Sequence, residues 1–268
     1  MGGGGSLRHP PSAFQETADV LDTDYHKARD LSRKIASEMD PPLFYVEKRL
    51  EVALSEELFE THDMVRAALR RFSRRADRIG HGLSHVRKVA LDAGAVVLCE
   101  AGNGRCPRTE RQVLLAHLAG VLHDIRREER NHALRGAEEA GLFLSQLALK
   151  EGERRAVVQA IRNHEAFKPF EPLDDPGLQI VSDALYDADK FRWGPDNFTD
   201  TVWSMVASRN VPLETLLDHF LPGMEGIGKI RDTFRTPTGR TYGPDFIEKG
   251  LQIGKKIYEL FRGASSGP

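Results

Sequence analysis

At 268 residues, with 40% apolar and 29% charged positions, the chain can bury a substantial core and has the composition of an ordinary globule. Its formal net charge of -2 excludes the global basic excess of a protein that coats nucleic acid. No apolar run approaches the roughly 18 residues needed to span a bilayer. Cys99 and Cys106 are too few, and spaced wrongly, for a disulfide framework or a zinc knuckle. With no signal peptide visible, a reducing, cytoplasmic compartment is expected.

The opening "MGGGGSLRHPPS" reads as a flexible leader over residues 1–12, although it formally matches a myristoylation pattern. Residues 13–39 read as a polar helix or a pair of helices, closed by Asp40, Pro41 and Pro42, where proline forbids continuation. A helix over 55–76 follows from Leu58, His62, Val65, Leu69 and Phe72 recurring three or four apart. Its other side carries Arg66, Arg70, Arg74 and Arg78 with Arg71 and Arg75, a solvated basic face opposite the apolar stripe, so no nucleic-acid partner is expected. A third helix covers about 81–100 and stops at "GNGRCP"; Thr109 is the expected N-cap of the next, which ends near Leu122.

Further helices are expected at about 131–149, 152–165, 177–191, 196–208 and 244–262, with 167–177 the most loop-like segment between them. No alternating run of β-branched residues appears, so the fold class is all-α. The expected organisation is a leader (1–12), an N-terminal helical extension (13–78), a helical-bundle domain with C-terminal helices (79–262) and a tail (263–268).

Histidines and aspartates recur at the ends of these helices. His85 begins one, His123 and Asp124 end "ERQVLLAHLAGVLHD", and His132 opens "NHALRGAEEAG". His164 ends "ERRAVVQAIRNHEAF", and Asp189 lies in "IVSDALYDADKFRW". Ends of antiparallel helices let such side chains converge in a bundle interior. Singly, each is an ordinary cap or a hydrogen-bonded core residue. Together, buried carboxylates need a compensating charge, and imidazoles beside them supply nitrogen ligands for one. Mixed imidazole and carboxylate ligation suits iron, manganese, cobalt, nickel or zinc more than calcium.

The ordered set His85, His123–Asp124 and Asp189 resembles the HD superfamily of metal-dependent phosphohydrolases. The matching strings are "HVRKVA", "LAGVLHDI" and "DADKF", over about residues 80–192. The resemblance implies that His85, His123, Asp124 and Asp189 hold a divalent metal, with Asp189 rather than Asp187 as the last ligand. His132 and His164 resemble the extra histidines of the binuclear members, which implies two divalent transition-metal ions with Asp124 between them. Where the family often has Arg, this chain has Lys88, and the Gly-Tyr-Pro string of the branch that cleaves cyclic di-GMP is absent; "TYGPDF" is a different string.

By that resemblance a metal-activated hydroxide would cleave a phosphoester of a nucleotide or other small phosphorylated metabolite. Asp124, His81 and Lys190 are the expected catalytic residues, His81 as proton donor or partner of His85. Lys88, Arg126, Arg127 and Lys190 are the expected phosphate-binding cations. Two other readings stand beside the hydrolase: a mixed-valent di-iron oxygenase, and a catalytically silent HD module that binds or regulates. The silent module is disfavoured because all six ligand positions are filled. His117 is read as packing, while Trp193 and the 235–245 segment form either a pocket wall or ordinary loops.

Overall fold

The structure, a computed structural model, describes residues 13–74, 82–102 and 106–264, with side chains from residue 25 onward. Every regular element among them is helical and no strand is present, as the periodicity predicts. No helix is long and apolar enough to cross a membrane.

The centre of the molecule is built from α5 (Leu83–Glu100) and α6 (Pro107–Leu122), packed on each other and on α9 (Gln179–Phe191). The later parts of both, residues 92–98 of α5 and 113–122 of α6, are buried on every side, and their exposed polar residues lie within the first two turns. Around them pack α3 (Arg49–Thr61), α4 (Asp63–Ser73), α7 (His132–Leu144) and α8 (Glu151–Arg162). The N-terminal α1 (Ala13–Ser37) runs along α10 (Val202–Ser208) and α12 (Pro237–Ala264). α11 (Leu213–Gly228) packs on α12, and the five-residue α2 (Leu43–Glu47) seats Phe44 among Phe191, Tyr242 and Phe246.

Several boundaries differ from the sequence expectation. The 55–76 helix is two: His62 adopts an extended conformation (φ -89, ψ 122), and its Nδ1 caps α4 by accepting from Met64 N. The N-cap of α6 is Cys106, with Pro107 opening the helix. Thr109 lies inside the first turn, its Oγ1 3.3 Å from Cys106 Sγ. The last helix begins at Pro237 rather than about 244 and carries Pro244 within it. Of the arginine stripe, Arg66 pairs with Asp63 and Arg71 with Glu139; Arg75 and Arg78 lie outside the described residues.

Close approach of α5 and α6 depends on Gly120. A Cβ there would stand 2.5 Å from Ala90 Cα, too near for the backbones to stay where they are. His117, one face further along α6, is buried against Phe59 in an edge-on contact. Ser55 Oγ donates to Leu91 O, so it accepts the His117 Nε2 proton at 2.9 Å, and the imidazole is neutral.

That neutrality carries a pH dependence. Burial, with the nearby His62 adding to it, pushes the His117 pKa from 6.5 down to about 3. The unfolded chain therefore binds a proton that the fold refuses, so this contribution is complete above pH 6.5 and is lost as pH falls towards 3. At 1.36 kcal/mol per unit, lowering the pH from 6.5 to 4.5 should cost about 2–3 kcal/mol from this residue. Urea midpoints of wild type and His117→Gln at the two pH values give the difference. An equal pH slope in both proteins would refute the assignment.

Candidate metal centre

Five helix ends converge on one point. His85 comes from the first turn of α5, His123 caps the end of α6, and Asp124 follows it. His132 is the first residue of α7, entered through Asn131 in the left-handed region (φ 60). His164 lies two residues beyond α8, and Asp189 sits in the last turn of α9.

Asp124 lies between two sets of nitrogen atoms. Its Oδ2 is 3.4 Å from His123 Nε2 and 3.8 Å from His85 Nε2. Its Oδ1 is 3.6 Å from His164 Nε2 and 3.7 Å from His132 Nε2. Asp189 Oδ1 completes the first set, 3.5 Å from His85 Nε2 and 3.6 Å from His123 Nε2. Four ligands about 2.1 Å from one ion in a tetrahedral array lie about 3.4 Å apart, close to these spacings.

The rings are also presented correctly. His123 Nδ1 donates to Gly120 O at 2.8 Å, and His164 Nδ1 donates to Ile161 O at 2.6 Å. Each bond fixes the ring so that Nε2 faces the cluster. His164 Nε2 is buried with no hydrogen-bond partner, an arrangement proteins avoid unless something else occupies the lone pair. His85, His123 and Asp189, and likewise His123, Asp124 and His164, can hold a metal ion.

The electrostatics describe a site that needs a cation. Burial opposes charge on His123, but the carboxylates of Asp124 and Asp189 together outweigh it and hold the pKa up, to about 10. Burial likewise opposes charge on the two aspartates. His123 beside Asp124, and Lys190 beside Asp189, nevertheless keep both well below the usual carboxylate range. His132 is pushed down to about 4 by burial, with His164 and Arg127 adding to the effect against Asp124. Its Nε2 accepts from Arg127 Nη1 at 2.9 Å, and His132 belongs to neither of the two metal-capable groups, so Arg127 would have to turn aside for the ring to ligate.

The expected cations divide. Lys190 is buried, and its Nζ lies 2.5 Å from Asp189 Oδ2, over the rings of Tyr186 and Trp193. It holds one carboxylate oxygen and leaves Oδ1 to the ligand set. Arg127 Nη1 lies 2.9 Å from His132 Nε2 and 3.7 Å from Asp124 Oδ1. Lys88 is exposed, pairs with Asp196 at 2.8 Å and does not line the site. Arg126 pairs with Glu129 and Glu139 and is not among the residues that line the site. His81 lies outside the described residues.

Because Lys190 orients a candidate ligand, Lys190→Met should weaken any metal retention by about 10- to 100-fold, the usual effect of losing a ligand's supporting partner. Competition with a chromophoric chelator measures it. Unchanged metal affinity would make Lys190 a substrate contact only.

A cavity of about 550 Å³ opens from the cluster. Trp193 lines it, as do Glu165 and His219, which the sequence reading did not select. Glu165 Oε1 is 3.7 Å from His132 Nδ1; its position directly after His164 was the available sign. Arg235 stacks on Tyr186 and Tyr242 donates to Glu47, so neither residue reaches the cavity. Beneath it, buried Arg192 bonds Tyr45, Asp92 and Asp196, tying α2 and α5 to the end of α9.

Asp187 has a different job from Asp189. Its carboxylate accepts from Arg235 N, Thr236 N and Thr236 Oγ1 at 2.7–2.8 Å, anchoring the start of α12. In comparisons with known proteins, no family model, no curated protein and no solved structure matches this chain.

Proposed function

We propose that the protein is a metal-dependent phosphohydrolase of the HD type, cleaving a phosphoester of a small phosphorylated metabolite at a centre of two divalent metal ions. The observation that carries this reading is Asp124, which turns one oxygen to His85 and His123 and the other to His132 and His164. A single ion would not need a carboxylate facing two sets of imidazoles.

Two divalent ions held there would supply Lewis acidity, activating water near neutral pH and neutralising phosphoryl charge. The protein's own groups prepare the rest. The Gly120 and Ile161 carbonyls orient His123 and His164, and Lys190 orients Asp189. Arg127, on the cavity wall beside His132, is placed to meet a phosphoryl oxygen. No serine or cysteine nucleophile is required, and the two free thiols, Cys99 and Cys106, lie outside the cavity lining. A cytoplasmic setting belongs to this proposal.

The test is metal analysis of protein purified without added metal, then a phosphate-release screen over phosphomonoesters. About two ions per chain are expected, with turnover that persists without oxygen and with redox-inert Mn. The apolar cavity wall favours one second reading, a di-iron oxygenase acting on an organic substrate. Oxygen consumption, and loss of turnover when Mn replaces Fe, would establish that reading instead.

A further inference from the structure

The cavity is two-sided. One end is the His–Asp cluster with Arg127. The remainder runs under the turn at Asn197–Thr201 and along α10 and α11, where Phe198, Val202, Met205, Leu216, Phe220 and Met224 form its wall. Phe198 and Phe220 are buried, whereas Leu216 and Met224 are half-buried and Met205 is 38% exposed. The apolar surface therefore continues from the interior out to the mouth.

We propose that the substrate is amphiphilic: a phosphomonoester whose phosphate meets the cluster and Arg127 and whose hydrocarbon tail lies along the α10–α11 wall. The inference rests on the phosphohydrolase reading of the same centre. The cavity volume, about 550 Å³, lies in the range that encloses a small organic ligand. Away from the cluster end, where Arg127, Glu165, Lys190 and Arg192 also line the cavity, polar side chains are few: Asn197, Thr201 and His219. A nucleoside's base and ribose present more hydrogen-bonding groups than these can answer, and each unanswered group would oppose binding. A hydrocarbon needs none. The unbranched Met205 and Met224 suit a flexible tail, because methionine adapts to irregular apolar surfaces.

The reaction balances with water alone. The phosphorus–oxygen bond to the alcohol breaks, water oxygen forms the new bond to phosphorus, and the proton released by water ends on the departing alcohol.

The experiment uses the full chain loaded with Mn and a series of n-alkyl phosphates from ethyl to decyl, with AMP alongside. The expected result is a kcat/KM that rises about fourfold per methylene until the cavity is filled, leaving AMP behind the longer esters. Leu216→Asp should flatten that slope while metal content, measured in the same samples, stays near the wild-type value. Hydrolysis with no dependence on chain length, or AMP turned over faster than decyl phosphate, overturns the amphiphile and leaves the phosphohydrolase standing. If no ester is cleaved, the phosphohydrolase reading fails, and calorimetric titration with n-alkylphosphonates then decides the apolar half independently. Affinity that grows with chain length supports the tail site, and affinity that does not overturns it.

Discussion

Asp124→Ala should empty both ligand sets at once. In the proposed two-ion centre, metal content should fall to near zero, because among the described residues this carboxylate has an oxygen facing each set. Phosphate release should fall by at least a factor of about 1,000, equivalent to about 4 kcal/mol of barrier. His132→Ala provides the contrast: it touches only the Oδ1 side, so one ion should leave and the other remain. Elemental analysis of both variants, with circular dichroism to show that helices persist, separates the outcomes. Two ions retained by Asp124→Ala would remove the shared-carboxylate centre altogether.

The second large effect is structural and reaches the site indirectly. Gly120→Ala places a Cβ 2.5 Å from Ala90 Cα and 2.8 Å from Ala90 N, backbone atoms that cannot rotate aside. The two central helices must separate, at a cost of about 2–3 kcal/mol for overpacking, and Tm should fall by roughly 4–12 °C for a chain of this size. α5 carries His85 and α6 carries His123, whose Nε2 atoms are 3.4 Å apart. Separation should therefore also loosen the first ion more than the second. Adding Ala90→Gly should recover only part of the loss, since the nearest clash is with Cα rather than Cβ. A variant as stable as wild type, with normal metal affinity, would show that this contact is not tight.

The legible parts of the fold and site share one physical trait. Apolar helices such as α5 and α6 announce themselves by composition, and ligands at helix ends stand out against such runs. His85, His123, Asp124, His132, His164 and Asp189 all lie at or near such ends, while the choice of Asp189 over Asp187 came from the HD resemblance; the structure groups five of them as able to hold a metal and places His132 beside Asp124. What was hidden depends on partners remote in sequence. Lys88 looks as available for phosphate as Lys190, but it meets Asp196, while Lys190 turns inward to Asp189. The α11 helix was missed because Pro222, Gly223, Gly226 and Gly228 disguise its period. With it went the cavity wall, and His219 was passed over for the same reason.

Phe44 has a bearing on how the chain reaches this structure. Its ring sits 5.3–6.3 Å from those of Phe191, Tyr242 and Phe246, and Leu43 N donates to Asp245 across 202 positions. Helical proteins ordinarily fold quickly because most of their contacts are local, and closing so long a loop removes part of that advantage. Synthesis from the ribosome imposes an order as well. All six residues of the His–Asp cluster have been made by residue 189, before the partners of Phe44 in α12 exist. A His–Asp cluster that assembled before α12 was made would stand over an unfinished base, and α12 would then complete the packing around Phe44.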